Sequence, residues 1–157
     1  MNAGGGAVAI RTMVEGDLDR VLAIADSLST APRWPREAYA AAIGADGWPR
    51  RIVLVAEVGG EVAGFAVARL VAEEAELESI VVPGELQGRG IGWALLSELI
   101  RLARLAGARE IGLELRESNR TAGRLYERAG FREAGRRLGY YREPVENAVV
   151  LRLALKA

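Results

Sequence analysis

Residues 87–92 read Gln-Gly-Arg-Gly-Ile-Gly, and an amphipathic helical pattern begins inside them. The glycines alternate where a predicted strand, Leu77–Val82, hands over to a predicted helix, about Gly90–Ala106. Without a Cβ, glycine lets the backbone approach a ligand closely and adopt positive φ. The free N–H groups of a helix's first turn point at the same place, with the positive end of the macrodipole behind them. Strand, glycine loop and helix N-terminus together make a cradle for pyrophosphate. The plain alternative is a glycine-rich strand-to-helix turn that holds nothing.

Two common phosphate motifs do not fit. The ATP-type loop needs Gly-Lys-Ser/Thr, and here Gly92 is followed by Trp93 and Ala94. The dinucleotide fingerprint needs Gly-x-Gly-x-x-Gly with an acid about 20 residues on. This chain carries Gly-x-Gly-x-Gly, in its second half and after a hairpin signal.

The residue types that are missing narrow the chemistry further. There is no cysteine and no histidine. Disulfides, Cys- or His-type zinc sites, Ser-His-Asp triads and Cys-His dyads are excluded. Acid–base work must fall to carboxylates, tyrosine, lysine, the backbone or water. No metal is expected. The 21 basic and 21 acidic residues balance to zero net charge, so no global basic field argues for nucleic acid or anionic membrane. No apolar run is long enough to span a bilayer, and Met1–Ala9 lacks the pattern of a signal peptide. A cytoplasmic protein is the expectation, as monomer or homodimer. At 157 residues the chain fits one domain with a real core, residues 1–6 forming a flexible tail.

The elements that must position the cradle follow from periodicity. Val8–Arg11 reads as a short strand. Asp17–Ser29 reads as an amphipathic helix, with Leu18, Val21, Leu22, Ala25 and Leu28 at helical spacing. The prolines of Thr30–Pro35 break it, and Arg36–Ala45 is a second short helix ending near Gly44 and Gly47. Ile52–Val58 and Glu61–Leu70 are strands joined at Gly59-Gly60, a two-residue hairpin signal. Glu76–Val82 is the strand before the glycine loop, ended by Pro83-Gly84. After the loop helix, stopped by Gly107, come a strand at Arg109–Arg116 and a helix at Asn119–Ala129. Gly130 sits at its left-handed cap, followed by Phe131. Phe131–Arg142 and Ala148–Leu155 are closing strands, with Tyr140 and Tyr141 in a turn between them. The expected fold is α+β, a mixed and largely antiparallel sheet flanked by helices in the order β-α-α-β-β-β-α-β-α-β-β.

That order is similar to the order of the GNAT N-acetyltransferases. Gln87-x-x-Gly90-x-Gly92 resembles their acetyl-CoA loop, Gln/Arg-x-x-Gly-x-Gly/Ala. Ile10-Arg11, Asp17-Leu18 and Val21-Leu22 resemble the superfamily's usual opening. Leu113-Glu114-Leu115-Arg116-Glu117-Ser118-Asn119 resembles its Leu-Glu-Val-Arg-x-Ser-Asn segment. Leu125-Tyr126-Glu127-Arg128-Ala129-Gly130-Phe131 resembles its Leu-Tyr-x-x-x-Gly-Phe segment. Arg136-Arg137, Tyr140-Tyr141, Glu146-Asn147-Ala148 and the Pro32-Arg33-Trp34 loop resemble the ribosomal-protein-alanine N-acetyltransferase (RimI-type) subgroup, although an arginine interrupts the subgroup's Pro-Trp pair.

The chemistry of such a site can be stated on its own terms. An amine attacks a thioester, and it must be neutral to do so, whereas an α-amino group titrates near about 8 and a lysine near about 10.4. A base must take a proton, the oxyanion needs a donor, and the departing thiolate gains from an acid. No enzyme nucleophile is required.

The resemblance implies Glu114 as base and Tyr126 as acid. By position alone, Glu114 is a solvated glutamate on the polar face of its strand, and Tyr126 a core tyrosine beside Leu125. Glu78, on the strand before the loop, is the rival base. The resemblance implies a CoA site made of the backbone of Ile80, Val81 and Val82, the loop Gln87, Gly88, Arg89, Gly90, Ile91 and Gly92, then Trp93, and Asn119, which also suits a helix N-cap. Trp93 either stacks near the adenine or packs. Tyr140 and Tyr141 either line the peptide side of the cleft or form an ordinary hairpin. Glu37, Glu73, Glu74 and Glu76 either make an acidic rim for a basic acceptor or a solvated face. Acetyl-CoA is the expected donor, and the acceptor a protein N-terminal α-amine such as that of a ribosomal protein. A GNAT acting on a small amine, and a CoA-binding regulatory module without catalysis, are the alternatives.

Overall fold

The computed structural model describes residues 6–28, 31–44 and 48–155. Strand β1 (Val8–Thr12) leads through a 3-10 turn to helix α1 (Leu18–Asp26) and helix α2 (Arg36–Ile43). Strands β2 (Arg50–Val58), β3 (Glu61–Val71) and β4 (Glu74–Val81) follow as consecutive hairpins. Then come α3 (Ile91–Leu105), β5 (Glu110–Arg116), α4 (Arg120–Ala129), β6 (Arg132–Arg142) and β7 (Val145–Ala154). Among the described residues the strands form one seven-stranded sheet in the order β1-β2-β3-β4-β5-β7-β6. Every neighbouring pair is antiparallel except β4 and β5. The mixed, largely antiparallel α+β fold read from the sequence is the fold observed. The flexible tail expected at 1–6, and the helix ends expected at Ser29 and Ala45, lie almost wholly outside the described residues. No helix is long and apolar enough to cross a membrane among the described residues.

Side-chain alternation assigns each face its helices. On β3, Phe65 and Val67 join Val53, Val55, Leu18, Val21, Ile24 and Tyr39 in the core under α1 and α2. Ala66 and Ala68 face the other way, with Leu54 and Ala56, against Leu95, Leu96 and Leu99 of α3. Large strand residues meet the short helices and small ones admit the long helix. Gly64 carries this to its limit: a Cβ there would lie 2.9 Å from the Val81 carbonyl oxygen and 3.3 Å from both Ile91 and Leu95. The bare backbone at Gly64 is what lets the first turn of α3 seat against β3 and β4.

Two irregularities in β4 open the sheet. The β3–β4 ladder jumps from Ala68↔Leu77 to Val67↔Ser79, leaving Glu78 unpaired in a bulge. A bulge shifts the alternation, so Ala75 and Leu77 pack with α3 while Val81 packs with α1 and α2. On its other edge β4 pairs with β5 only over Glu74–Glu76 against Glu110–Gly112. Both strands run on, to Val81 and Arg116, without further pairing to each other. They diverge into a wedge in mid-sheet, and the unpaired N–H and C=O groups of β4 line it.

The closing hairpin corrects the sequence reading. Tyr140 and Tyr141 lie in β6 itself, the turn is at Glu143-Pro144, and β7 begins at Val145 rather than Ala148. The Tyr141↔Glu146 and Arg142↔Val145 pairs extend the ladder beyond an irregularity that starts after Arg137.

Candidate active site

The wedge is lined by Leu77–Val81 of β4, Leu113–Leu115 of β5, and Asn119, Ala122 and Tyr126 around α4, with Leu28, Ala31 and Pro32 closing one side. Ile80, Asn119 and Ala122 also line a trough that runs to the glycine loop, so wedge and trough are continuous. Gln87, Gly88, Gly90, Ile91, Gly92 and Trp93 line that trough, with Val82, Leu125 and Arg128. Arg89 is exposed and does not line it.

Local geometry explains the loop. Gly88 and Gly90 have φ of 79° and 81°, the left-handed region that favours glycine. Gly90 is the N-cap of α3, and the first helical bond runs from the Ala94 N–H to its carbonyl, 3.0 Å. The N–H groups of Ile91, Gly92 and Trp93 therefore have no partner within the helix and face the trough. A Cβ on Gly92 would sit 3.4 Å from Leu125 Cδ2, so glycine keeps the floor low where α3 meets α4. Gln87 turns inward: its side-chain amide donates to the Val82 carbonyl at 3.1 Å and clamps the loop to the end of β4. Trp93 packs rather than standing free, with the Arg128 guanidinium 4.1 Å above its ring. That pair bridges α3 and α4 at the mouth of the trough.

Asn119 serves as N-cap of α4, accepting from the Ala122 N–H at 3.3 Å, and lines both parts of the cleft. Tyr126 is 5% exposed, its ring packed edge-on against Phe131 at 5.5 Å. Burial pushes its hydroxyl pKa well above the ordinary tyrosine value, so the group stays protonated.

The two carboxylates differ in how they are held. Glu78, at the bulge, is gripped on both oxygens by Arg51, at 2.8 and 3.4 Å. Arg51 in turn lies over the Trp34 ring at 5.4 Å and ties β4 to the α1–α2 connection. Glu114 projects from β5 into the wedge, and Arg137 Nε approaches one of its oxygens at 2.8 Å. The Glu114 carboxylate is also the largest cause of the raised pKa of Tyr140.

Glu114 borders a second opening. Arg69, Glu76, Gly112, Glu114, Tyr140, Val150 and Arg152 line a groove on the sheet face away from α3 and α4. The acidic rim read from the sequence is not bare. Glu76 is paired with Arg69 and Glu73 with Arg109, Glu74 lines the groove with no ion pair among the described residues, and Glu37 lies apart on α2. Sequence reading also missed Ser79, whose buried hydroxyl lies at the wedge without a hydrogen-bond partner. Its only sequence signal was a polar residue where β4 alternation expects an apolar one. Among the described residues no cluster of Asp and Glu is arranged to hold a metal ion.

The arrangement can hold a long phosphorylated ligand. Its pyrophosphate would lie at the α3 N-terminus, an extended arm along the open edge of β4, and its reactive end between Glu114 and Tyr126.

The fold is shared with known proteins. The sequence profile described as the acetyltransferase (GNAT) family matches residues 21–131. The ribosomal protein bS18-alanine N-acetyltransferase of Haemophilus ducreyi is 30% identical over 149 residues, covering 93% of this chain and 99% of that protein. The crystal structure of the ribosomal-protein-S18-alanine N-acetyltransferase from Escherichia coli superposes with a TM-score of 0.84 at 31% identity, covering 96% of both chains. The structure of Salmonella typhimurium yncA with its cofactor acetyl-CoA superposes with a TM-score of 0.82 at 25% identity, covering 96% of this chain and 95% of that one. The chain belongs to the GNAT family of acetyltransferases, with acetyl-CoA as its acetyl donor.

Proposed function

We propose that this enzyme acetylates the N-terminal α-amine of a protein, with a ribosomal-protein N-terminus that begins with alanine as the best-supported acceptor. The observation that carries the reading is the meeting of two openings at Glu114. The trough between α3 and α4 suits the donor. The groove on the other sheet face, open along β4, β5 and β7, suits an extended chain end. The relatives named for bS18 alanine acetylation support the same acceptor.

In this reading Glu114 takes a proton from the acceptor amine, which then attacks the thioester carbonyl. Backbone N–H groups of β4, unpaired once β5 diverges, bind the pantetheine arm as an added strand and polarise that carbonyl. The new N–C bond forms as the C–S bond breaks, and Tyr126 gives its proton to the leaving thiolate. Glu114 is preferred over Glu78 because Arg51 already occupies both Glu78 oxygens. The chain acts as one cytoplasmic domain.

Mass spectrometry tests the acceptor. The protein is incubated with acetyl-CoA and a peptide beginning Ala-Arg, the same peptide blocked at its α-amine but carrying a lysine, and a small primary amine. Acetyl on the free α-amine alone is the expected outcome. Preference for the small amine would support a small-molecule acetyltransferase instead, and acetyl-CoA binding without turnover of any amine would support a regulatory module.

A further inference from the structure

We propose that Arg137 is a positioning residue that holds the Glu114 carboxylate at the cleft and yields it to the cationic acceptor amine. This rests on the reading of Glu114 as the base. Glu114 lines both the wedge and the groove, so whatever grips it on the groove side sets its aim into the wedge. Arg137 grips it there, Nε to Oε1 at 2.8 Å.

The local backbone is built to deliver this contact. The β6–β7 ladder keeps register from Gly135↔Val150 to Arg137↔Ala148, then breaks and resumes at Tyr141↔Glu146. Within the break Gly139 has φ of 60°, and its N–H donates to Asn147 Oδ1 at 3.0 Å. The irregularity returns Tyr140 to the groove that Glu114 lines, where its ring lies 5.7 Å from the Arg137 guanidinium. One cation from β6 thus reaches Glu114, with a β6 tyrosine in the same groove. The other arginines of the groove, Arg69 and Arg152, are spent on Glu76 and Glu110.

An ion pair as open as this one contributes little to stability, since the Arg137 side chain is 58% exposed. Its use lies in orientation. A protonated amine entering the groove carries the same sign as the guanidinium and seeks the same oxygens. Arg137, long and solvated, can swing aside at small cost, which a buried cation could not. Until then it keeps the carboxylate from turning out of the wedge.

A double-mutant cycle tests this with steady-state kinetics on the Ala-Arg peptide, using R137Q, R137K, E114Q and R137Q/E114Q. R137Q is expected to lower kcat about tenfold, less than the roughly 10²-fold worth of the base itself. The acetyl-CoA KM and the melting temperature stay unchanged, and R137K recovers most of kcat. In the E114Q background R137Q has no further effect, because it acts through Glu114. The proposal is overturned if R137Q keeps full kcat, if its loss is as large in the E114Q background, or if the loss tracks a lowered melting temperature. An E114Q enzyme at full rate instead overturns the base reading, and the proposal with it.

Discussion

Replacing Tyr126 by phenylalanine removes one oxygen and leaves the packing in place. The ring is 5% exposed and keeps its edge-on contact with Phe131. Burial raises its pKa, and among the described residues its hydroxyl makes no hydrogen bond that the substitution would break. A partnered buried hydroxyl would cost about 0.5–1.5 kcal/mol on removal. Here the expected cost is near zero, and the melting temperature should move by less than the roughly 2–4 °C that 1 kcal/mol produces in a domain of this size. Turnover should behave differently. A lost general acid costs about 10²-fold or more, near 2.7 kcal/mol of barrier. Because the hydroxyl stays protonated well past the ordinary tyrosine pKa, the wild-type kcat profile should show no basic limb from this residue below pH ~10. The assay is CoA-thiol release at saturating donor and acceptor, paired with thermal unfolding of the same preparation. Full turnover with a lowered melting temperature would return Tyr126 to the core and refute its assignment as the acid.

Further outcomes follow from the same geometry. Glu78→Gln should cost far less than the roughly 10²-fold of a lost base, since its oxygens already belong to Arg51; a deeper loss there than in Glu114→Gln would reverse the two roles. Gly92→Val drives a branched side chain toward Leu125, already 3.4 Å from a Cβ, and toward the free amides of α3. Calorimetry should show acetyl-CoA binding weakened at least about tenfold, the size of one lost charge-assisted contact, with the circular dichroism spectrum retained; unaltered affinity would remove the cradle. Asp17 is buried and takes hydrogen bonds from Arg11 at 2.7 and 2.8 Å and from the Val14 N–H at 2.8 Å. The Arg11 hydrogen bond lowers its pKa, so its contribution is present above the unfolded value, about 3.9, and lost as pH falls through the folded one. The gap in melting temperature between wild type and Asp17→Asn should therefore hold near neutral pH and narrow below about pH 4; a gap independent of pH would contradict it.

Much of the fold was legible because its cues are local. Alternation of Ile111, Leu113 and Leu115 in β5, the Gly59-Gly60 hairpin and the Gly130-Phe131 cap are patterns among residues close in the chain. The glycine cradle was legible for the same reason: strand end, loop and helix N-terminus are contiguous, and φ near 80° at Gly88 and Gly90 needs the residue type found there. The start of β7 was not, since Val145 and Glu146 join the ladder only past an irregularity in β6, and the turn falls after Tyr140 and Tyr141 rather than at them.

The sequence by itself therefore determined the elements, their order, the glycine loop and the absence of any cysteine or histidine chemistry. Tertiary structure alone decided what each carboxylate is bonded to. Glu78 and Glu114 are both strand glutamates, and nothing in their neighbours says that Arg51 closes over one while Arg137 reaches the other. With 21 basic and 21 acidic residues, many pairings are open to the unfolded chain. The bulge at Glu78, the divergence of β4 from β5 and the break in β6 select among them, because ion pairing depends on distance through space and not along the chain.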